Sequence, residues 1–235
     1  EYSYTPPVTA LSLTETIGFT LTDKDSDVSA PGTLTLNVIR DTGSVALNGT
    51  ANADAALNGA TTDDIISGMA GNDTITGRDG NDWLSGGAGD DSLSGGNGTD
   101  KLDGGDGSDT LYGGAGNDLL IGGLGSDTFA WAPSDLGSVA SPASDTIADF
   151  NVASKAAGGD VLDLRDLLPS ATTGTALDAY LNFSTSVAGT VIDVKPDGTN
   201  VTQKIVLAGV DLGATGTNDV AIINDLIAKG KLITD

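Results

Sequence analysis

The chain has 235 residues, with 33 acidic against 10 basic, a net charge of -23, no cysteine and no histidine. Such a charge repels nucleic acid and anionic membranes, and the missing residue types exclude disulfides, thiol nucleophiles, a Ser-His-Asp triad and thiolate- or histidine-held metals. Only Glu1 and Glu15 are glutamate, so the acid is almost all aspartate, whose short side chain suits tight turns and close oxygen cages.

Residues 1–40 read as strands. Ile17, Phe19 and Leu21 alternate with other residues over 16–22, as do Leu34, Leu36 and Val38 over 33–38. The turn between them carries Asp23, Asp25 and Asp27, spaced as calcium oxygens but without the later glycine and glutamate of an EF-hand. A polar hairpin turn and an additional calcium site both fit. Residues 41–58 are rich in Asn, Ala, Gly and Thr and read as a linker, with 52–58 a decayed turn that seals the first coil of the repeat block.

From Gly59 to Ala130 one nine-residue unit recurs eight times. The clean copies are GGAGDDSLS (86–94), GGNGTDKLD (95–103), GGDGSDTLY (104–112), GGAGNDLLI (113–121) and GGLGSDTFA (122–130). Upstream, GATTDDIIS (59–67), GMAGNDTIT (68–76) and GRDGNDWLS (77–85) keep the period while losing glycines. This is the nonapeptide of calcium-binding parallel β-helices. The expected fold is therefore all-β: a calcium-bound parallel β-helix (β-roll) with a strand-rich capping domain and a short C-terminal helix. Each unit should spend six positions on a turn and three on a strand with one inward residue: Ile66, Ile75, Leu84, Leu93, Leu102, Leu111, Leu120 and Phe129. Two units make a coil of 18, stacking Ile66, Leu84, Leu102 and Leu120 in one sheet and the other four in a second. So thin a core does not offset the entropy of ordering the block, and cations are expected to hold it.

The sixth positions are Asp64, Asp73, Asp82, Asp91, Asp100, Asp109, Asp118 and Asp127. Stacked one strand apart, these carboxylates repel unless an ion lies between them. Several calcium ions are the expected cofactors. Turn carbonyls would complete each shell, from Gly68, Gly71, Gly77, Gly80, Gly86, Gly87, Gly89, Gly95, Gly96 and Gly98, then Gly104, Gly105, Gly107, Gly113, Gly114, Gly116, Gly122, Gly123 and Gly125. Asn72, Asn81, Asp90 and Asn117 stand where they can brace the turns. Ala60, Met69 and Arg78 replace second-position glycines. With ordinary backbone angles such a residue weakens a site without abolishing it, so the first units should bind more weakly than 86–130.

Residues 131–235 differ in texture. Acids among apolar residues at 145–150 and 159–168 read as strands, with Asp145, Asp149 and Asp163 as additional calcium candidates. Further strands are expected at 179–185, 190–195 and 203–208, with a turn at 196–198. A helix capped by Asn218 or Asp219 should run to about Lys229 with Val220, Ile223 and Ile227 inward and Gly230 as its stop.

The succession DTIADF, DVLDLRDLL, a strand-rich stretch and DVAIINDLIAKGKLITD resembles the C-terminal target region of type I-secreted RTX proteins, above all large bacterial RTX adhesins. The strands of 1–40 resemble the end of an Ig-like or cadherin-like adhesin repeat. The resemblance implies four parts: repeat end 1–40, linker and cap 41–58, RTX β-roll 59–130, and capping and secretion domain 131–235. It implies an uncleaved export signal at the C-terminus read by an ABC transporter, and a secreted, extracellular or cell-surface protein whose roll folds on meeting calcium outside. It places calcium on the sixth aspartates and turn carbonyls. No basic-then-apolar leader opens the chain, no apolar run is long enough to span a membrane, and its charge and capped ends point to a monomer. No catalytic residues are read here. The alternative is the terminal RTX region of a secreted enzyme or toxin with its catalytic domain upstream, and a third reading is a module gripping a sugar or surface through its calcium.

Overall fold

The computed structural model describes residues 13–19, 32–38, 44–168, 173–213 and 219–234. Asp23, Asp25, Asp27 and Asn218 lie outside the described residues.

Within the repeats, every half-coil makes one strand. One sheet takes β3 (Val45–Asn48), β5 (Ile65–Ala70), β7 (Trp83–Ala88), β9 (Lys101–Asp106) and β11 (Leu119–Leu124). The opposite sheet takes β4 (Leu57–Asn58), β6 (Thr74–Asp79), β8 (Ser92–Gly98), β10 (Thr110–Gly116) and β12 (Thr128–Ala130). All these pairings are parallel, the only arrangement open to a chain that returns to the same sheet once per coil. Ile66 stacks on Leu84, Leu102 and Leu120, and Ile75 on Leu93, Leu111 and Phe129, all essentially excluded from solvent. The fold is a parallel β-solenoid of the expected kind.

From β5 to β11 the strands are longer than the three residues expected. Trp83–Ala88 spans six, running into the glycines of the next unit. Gly87 pairs with Gly105 across coils, so the second positions belong to the ladder rather than to the turn.

The ladder also outlasts the repeat at both ends. Residues 44–58 are a coil in their own right: Leu47 stacks on Ile66 and Leu57 on Ile75. Beyond it, β1 (Leu13–Phe19) and β2 (Gly32–Val38) form an antiparallel pair that joins β3 in the same sheet. At the other end β13 (Ala143–Ile147) lies on β11, and β14 (Val161–Asp163) lies on β12.

After α1 (Gly174–Leu177), β15 (Leu181–Ser186), β16 (Gly189–Val194) and β17 (Gln203–Ala208) make an antiparallel meander, and β17 runs parallel to β13. Helix α2 (Asp219–Ala228) then leads to β18 (Leu232–Ile233), which closes the second sheet on β14. Of the expected inward face of α2, Ile223 is buried and Ile227 packs half-buried against the core, whereas Val220 is only half-buried and Ile222 and Leu226, not expected there, are buried. The helix touches α1, β15 and β18, and this covering from several sides extends the buried stripe to Ile222 and Leu226. Gly230 does end it, with a left-handed φ of 69.

Candidate metal centre

Each sixth-position aspartate sits at the end of its turn, just before a strand, and all eight are at most 3% exposed. Two opposed ladders hold these turns. The Oδ1 of Asp82, Asp91, Asp100, Asp109 and Asp118 accepts the backbone N–H of Asp64, Asp73, Asp82, Asp91 and Asp100, one coil earlier, at 2.7–2.8 Å. Asp127 does the same for Asp109 at 3.0 Å. The bracing residues work in the other direction: Asn72, Asn81, Asp90 and Asn117 accept from the N–H of Asp90, Thr99, Ser108 and Ser144, one coil later.

The other carboxylate oxygen has no donor. Oδ2 of Asp73, Asp82, Asp91, Asp100, Asp109, Asp118 and Asp127 is buried and without a hydrogen-bond partner. An orphaned, buried, ionised oxygen is strongly unfavourable in an apolar setting. A methyl group on Gly68 would collide with both Asp73 Oδ2 and the carbonyl oxygen of Gly86 in the next coil. The same holds at Gly77, Gly86, Gly95 and Gly104 with the carbonyls of Gly95, Gly104, Gly113 and Gly122. Carboxylate and carbonyl oxygens therefore crowd one small space, kept open because the residue is glycine.

Without a counter-ion these groups resist ionisation. Burial pushes Asp82, Asp100 and Asp127 up to about 6, and Asp109 and Asp118 up to about 7, from an ordinary value of 3.8. The donated backbone N–H pulls each back, and neighbouring carboxylates add to the rise. Asp73 and Asp91 are raised for the same reasons.

The donor set fits a hard cation, which takes six or more oxygens. Among the described residues no three acidic side chains converge on one point. An ion between coils would take carboxylates from one row and its remaining oxygens from backbone carbonyls. The first-position glycines supply carbonyls next to Oδ2. Carbonyls at second and fourth positions instead lie beneath the Cα of the matching glycine in the next coil, as Gly87 does for Gly105 and Gly89 for Gly107.

The backbone at second positions decides which oxygens are free. In the two earliest turns, Thr50 N–H donates to Asp54 Oδ2 at 2.7 Å and Ala60 N–H to Asp64 Oδ2 at 2.6 Å. Val45 N–H donates to Asp64 Oδ1, as Asp54 N–H does to Asp73 Oδ1, so Asp64 keeps its place in the row and differs from the later aspartates in having Oδ2 taken as well. From Met69 onward the second position is left-handed, with φ 79 at Met69, 91 at Arg78 and 98 to 118 at the later glycines. The condition of ordinary angles at Met69 and Arg78 therefore fails. They tolerate a side chain because they begin their rows, whereas a Cβ at Gly87 or Gly96 would strike the Met69 or Arg78 carbonyl.

The three further calcium candidates are engaged by the chain itself. Asp145 accepts from Asp118 N–H at 2.9 Å, and from Trp131 Nε1 and Gln203 Nε2 at 2.7 Å each. Asp149 accepts from the N–H groups of Gly122 and Gly123 at 3.0 and 2.9 Å. Asp163 pairs with Arg165 at 2.7 Å. Sequence reasoning missed Asp160, which takes the next place after Asp127 and accepts its N–H at 3.1 Å. The signal was there: Gly159-Asp160-Val161-Leu162 repeats the turn, aspartate and apolar order of the repeat after a longer loop.

Residues 58–93 and 94–129 match the family model of the RTX calcium-binding nonapeptide repeat (4 copies). Residues 58–129 are RTX repeats. The RTX repeat is a structural calcium-binding element, and its several copies here imply several sites. Among solved structures, the chain is similar to the AlgE6R3 subunit of the Azotobacter vinelandii mannuronan C5-epimerase, with 26% identity, 68% of this chain and 72% of that chain covered, and a TM-score of 0.30. It is also similar to the AlgE6R2 subunit of that enzyme, with 25% identity, 72% and 87% covered, and a TM-score of 0.40. No curated protein matches the chain significantly. Among the described residues no helix is long and apolar enough to cross a membrane.

Proposed function

We propose that this chain is a calcium-triggered folding module, the terminal region of a type I-secreted surface adhesin. Calcium lies between coils along the two rows that run from Asp73 to Asp127, and the first-position glycine carbonyls share in its coordination. The observation that carries this is the set of seven buried Oδ2 atoms with no donor. Metal binding to such a site is folding free energy, because the unfolded chain has no comparable site. At low cytosolic calcium the chain stays extended and exportable, and outside the cell it becomes rigid. Residues 1–40 close an adhesin repeat, 41–58 cap the roll, 59–130 are the roll, and 131–235 form the second cap and end in the export signal.

One secretion experiment tests both halves of this proposal. In a host with a matching type I system, the chain should appear in the medium, protease-resistant with calcium and cleaved within 59–130 after EDTA. Deletion of 218–235 should leave it in the cell. Unchanged protease resistance in EDTA would remove the calcium trigger, and normal secretion of the shortened chain would remove the export assignment.

A further inference from the structure

Both rows of aspartates continue past the last repeat, and they end differently. The row through Asp82, Asp100 and Asp118 ends at Asp145, whose Oδ2 is taken by two neutral donors, the Trp131 indole and the Gln203 amide. The row through Asp73, Asp91, Asp109 and Asp127 passes to Asp160. There Oδ2 accepts the N–H of Asn151 at 2.7 Å, as Asp64 accepts that of Ala60.

One step further stands an ammonium group. β18 lies on β14 with Leu232 opposite Leu162, so residue 230 occupies the place of the next sixth-position aspartate and Lys231 comes directly after it. Lys231 is 1% exposed. Its Nζ donates to the carbonyl of Asp160 at 2.9 Å and to that of Asn151, and lies 4.6 Å from the centroid of the Phe150 ring. Among the described residues it makes no ion pair with a carboxylate. A buried cation held by backbone carbonyls at the end of an aspartate row has the surroundings a metal ion would have.

The approach of this lysine is built into the end of α2. Gly230 N–H donates to Ile227 O at 2.9 Å and Lys231 N–H to Leu226 O at 2.8 Å. This is the paired 5→2 and 6→1 bonding of a Schellman motif, with left-handed Gly230 turning the chain. It delivers the Lys231 backbone to the roll at a fixed angle.

We propose that Lys231 is the terminal cation of the row through Asp73, Asp91, Asp109, Asp127 and Asp160, a tethered ammonium at the step where a calcium ion would otherwise lie. The row therefore closes on a charge carried by the chain itself, and no calcium enters beyond Asp160. This rests on the calcium reading of the rows. Removing the ammonium while leaving space and an oxygen should create one more calcium site.

Thermal stability of the full chain across a calcium titration tests this, comparing wild type, Lys231→Ser and Lys231→Met. Lys231→Ser should be less stable at low calcium and recover as calcium rises, its stability depending on log calcium more steeply by about one ion. Lys231→Met fills the volume without charge or oxygen, and its deficit should stay constant. Parallel curves for the two variants would overturn the proposal, because a lysine that only packs costs the same at every calcium level. So would failure of Lys231→Ser to fold at saturating calcium. A wild type indifferent to calcium would instead defeat the calcium reading on which the proposal stands.

Discussion

In the coils from Asp73 to Asp127 the sixth-position carboxylate offers a buried oxygen that no protein donor meets, whereas in the coils at either end the same oxygen is hydrogen-bonded. Position and residue type are shared, so the aspartate alone does not make a cation site. The neighbouring backbone does. At Thr50 and Ala60 the N–H turns toward the carboxylate, and from Met69 on the left-handed second position leaves Oδ2 without it. The C-terminal cap reaches the same end with Trp131, Gln203 and Asn151 as donors. A solenoid held by cations must stop somewhere, and donors of the chain stop it without leaving a half-coordinated ion.

The largest expected effect comes from neutralising one carboxylate of each kind. Asp100→Asn keeps an acceptor for Asp82 N–H but removes a charge that faces no donor. It should raise the calcium needed for folding and lower the stability of the loaded protein by about 1–3 kcal/mol or more. Asp64→Asn turns an amide N–H toward the N–H of Ala60 or Val45, so it should cost stability at every calcium level while leaving the number of bound ions unchanged. Asp178→Ala, exposed and in neither row, is the neutral control. Calorimetric calcium titration separates them, and an equal loss of bound ions from Asp100→Asn and Asp64→Asn would erase the distinction between central and terminal coils.

Acid should act on the central coils in two opposite ways. In the folded, cation-free chain burial raises Asp82, Asp100 and Asp127 from 3.8 to about 6 and Asp109 and Asp118 to about 7, and raises Asp73 and Asp91 as well. Folded chain therefore binds more protons than unfolded chain in this window. The resulting stabilisation is complete below the unfolded value and is lost as pH rises through about 6 to 7. Calcium needs the ionised form, so protons compete with it. At about pH 5 the calcium-free chain should be more structured than at about pH 8, yet loading should need more calcium. A calcium midpoint that stays fixed between those conditions would show that the buried carboxylates are not the ligands.

The period of nine made the solenoid, its two stacks and the eight aspartates legible, because each unit repeats one local conformation and errors cannot accumulate. The ends were harder. Asp145 and Asp160 continue the rows at 27 and 33 residues from their partners rather than 18, so periodicity no longer marks them. Some of their partners come from far away in sequence: Gln203 lies 58 residues from Asp145, and Lys231, on the Asp160 carbonyl, lies 71 from Asp160. The direction of a peptide plane at Ala60 is equally silent in the sequence, although it decides whether Asp64 is free.

The smallest effect lies at the two residues that begin the left-handed rows. Met69 and Arg78 hold φ of 79 and 91, a conformation that strains a residue with a Cβ by about 1–2 kcal/mol. No clash adds to that strain, because the turn before each of them keeps its second position out of the left-handed region. Met69→Gly and Arg78→Gly should relieve it, and the greater freedom of glycine in the unfolded chain should offset about 0.5–1 kcal/mol of the gain. The expected net is a stabilisation of a few tenths of a kcal/mol to about 1 kcal/mol in saturating calcium. Because the left-handed turn is already present, neither change should alter how many calcium ions bind. Denaturant melts of the loaded protein would resolve the sign, and a clear loss in both variants would mean that these side chains contribute more than their strain costs.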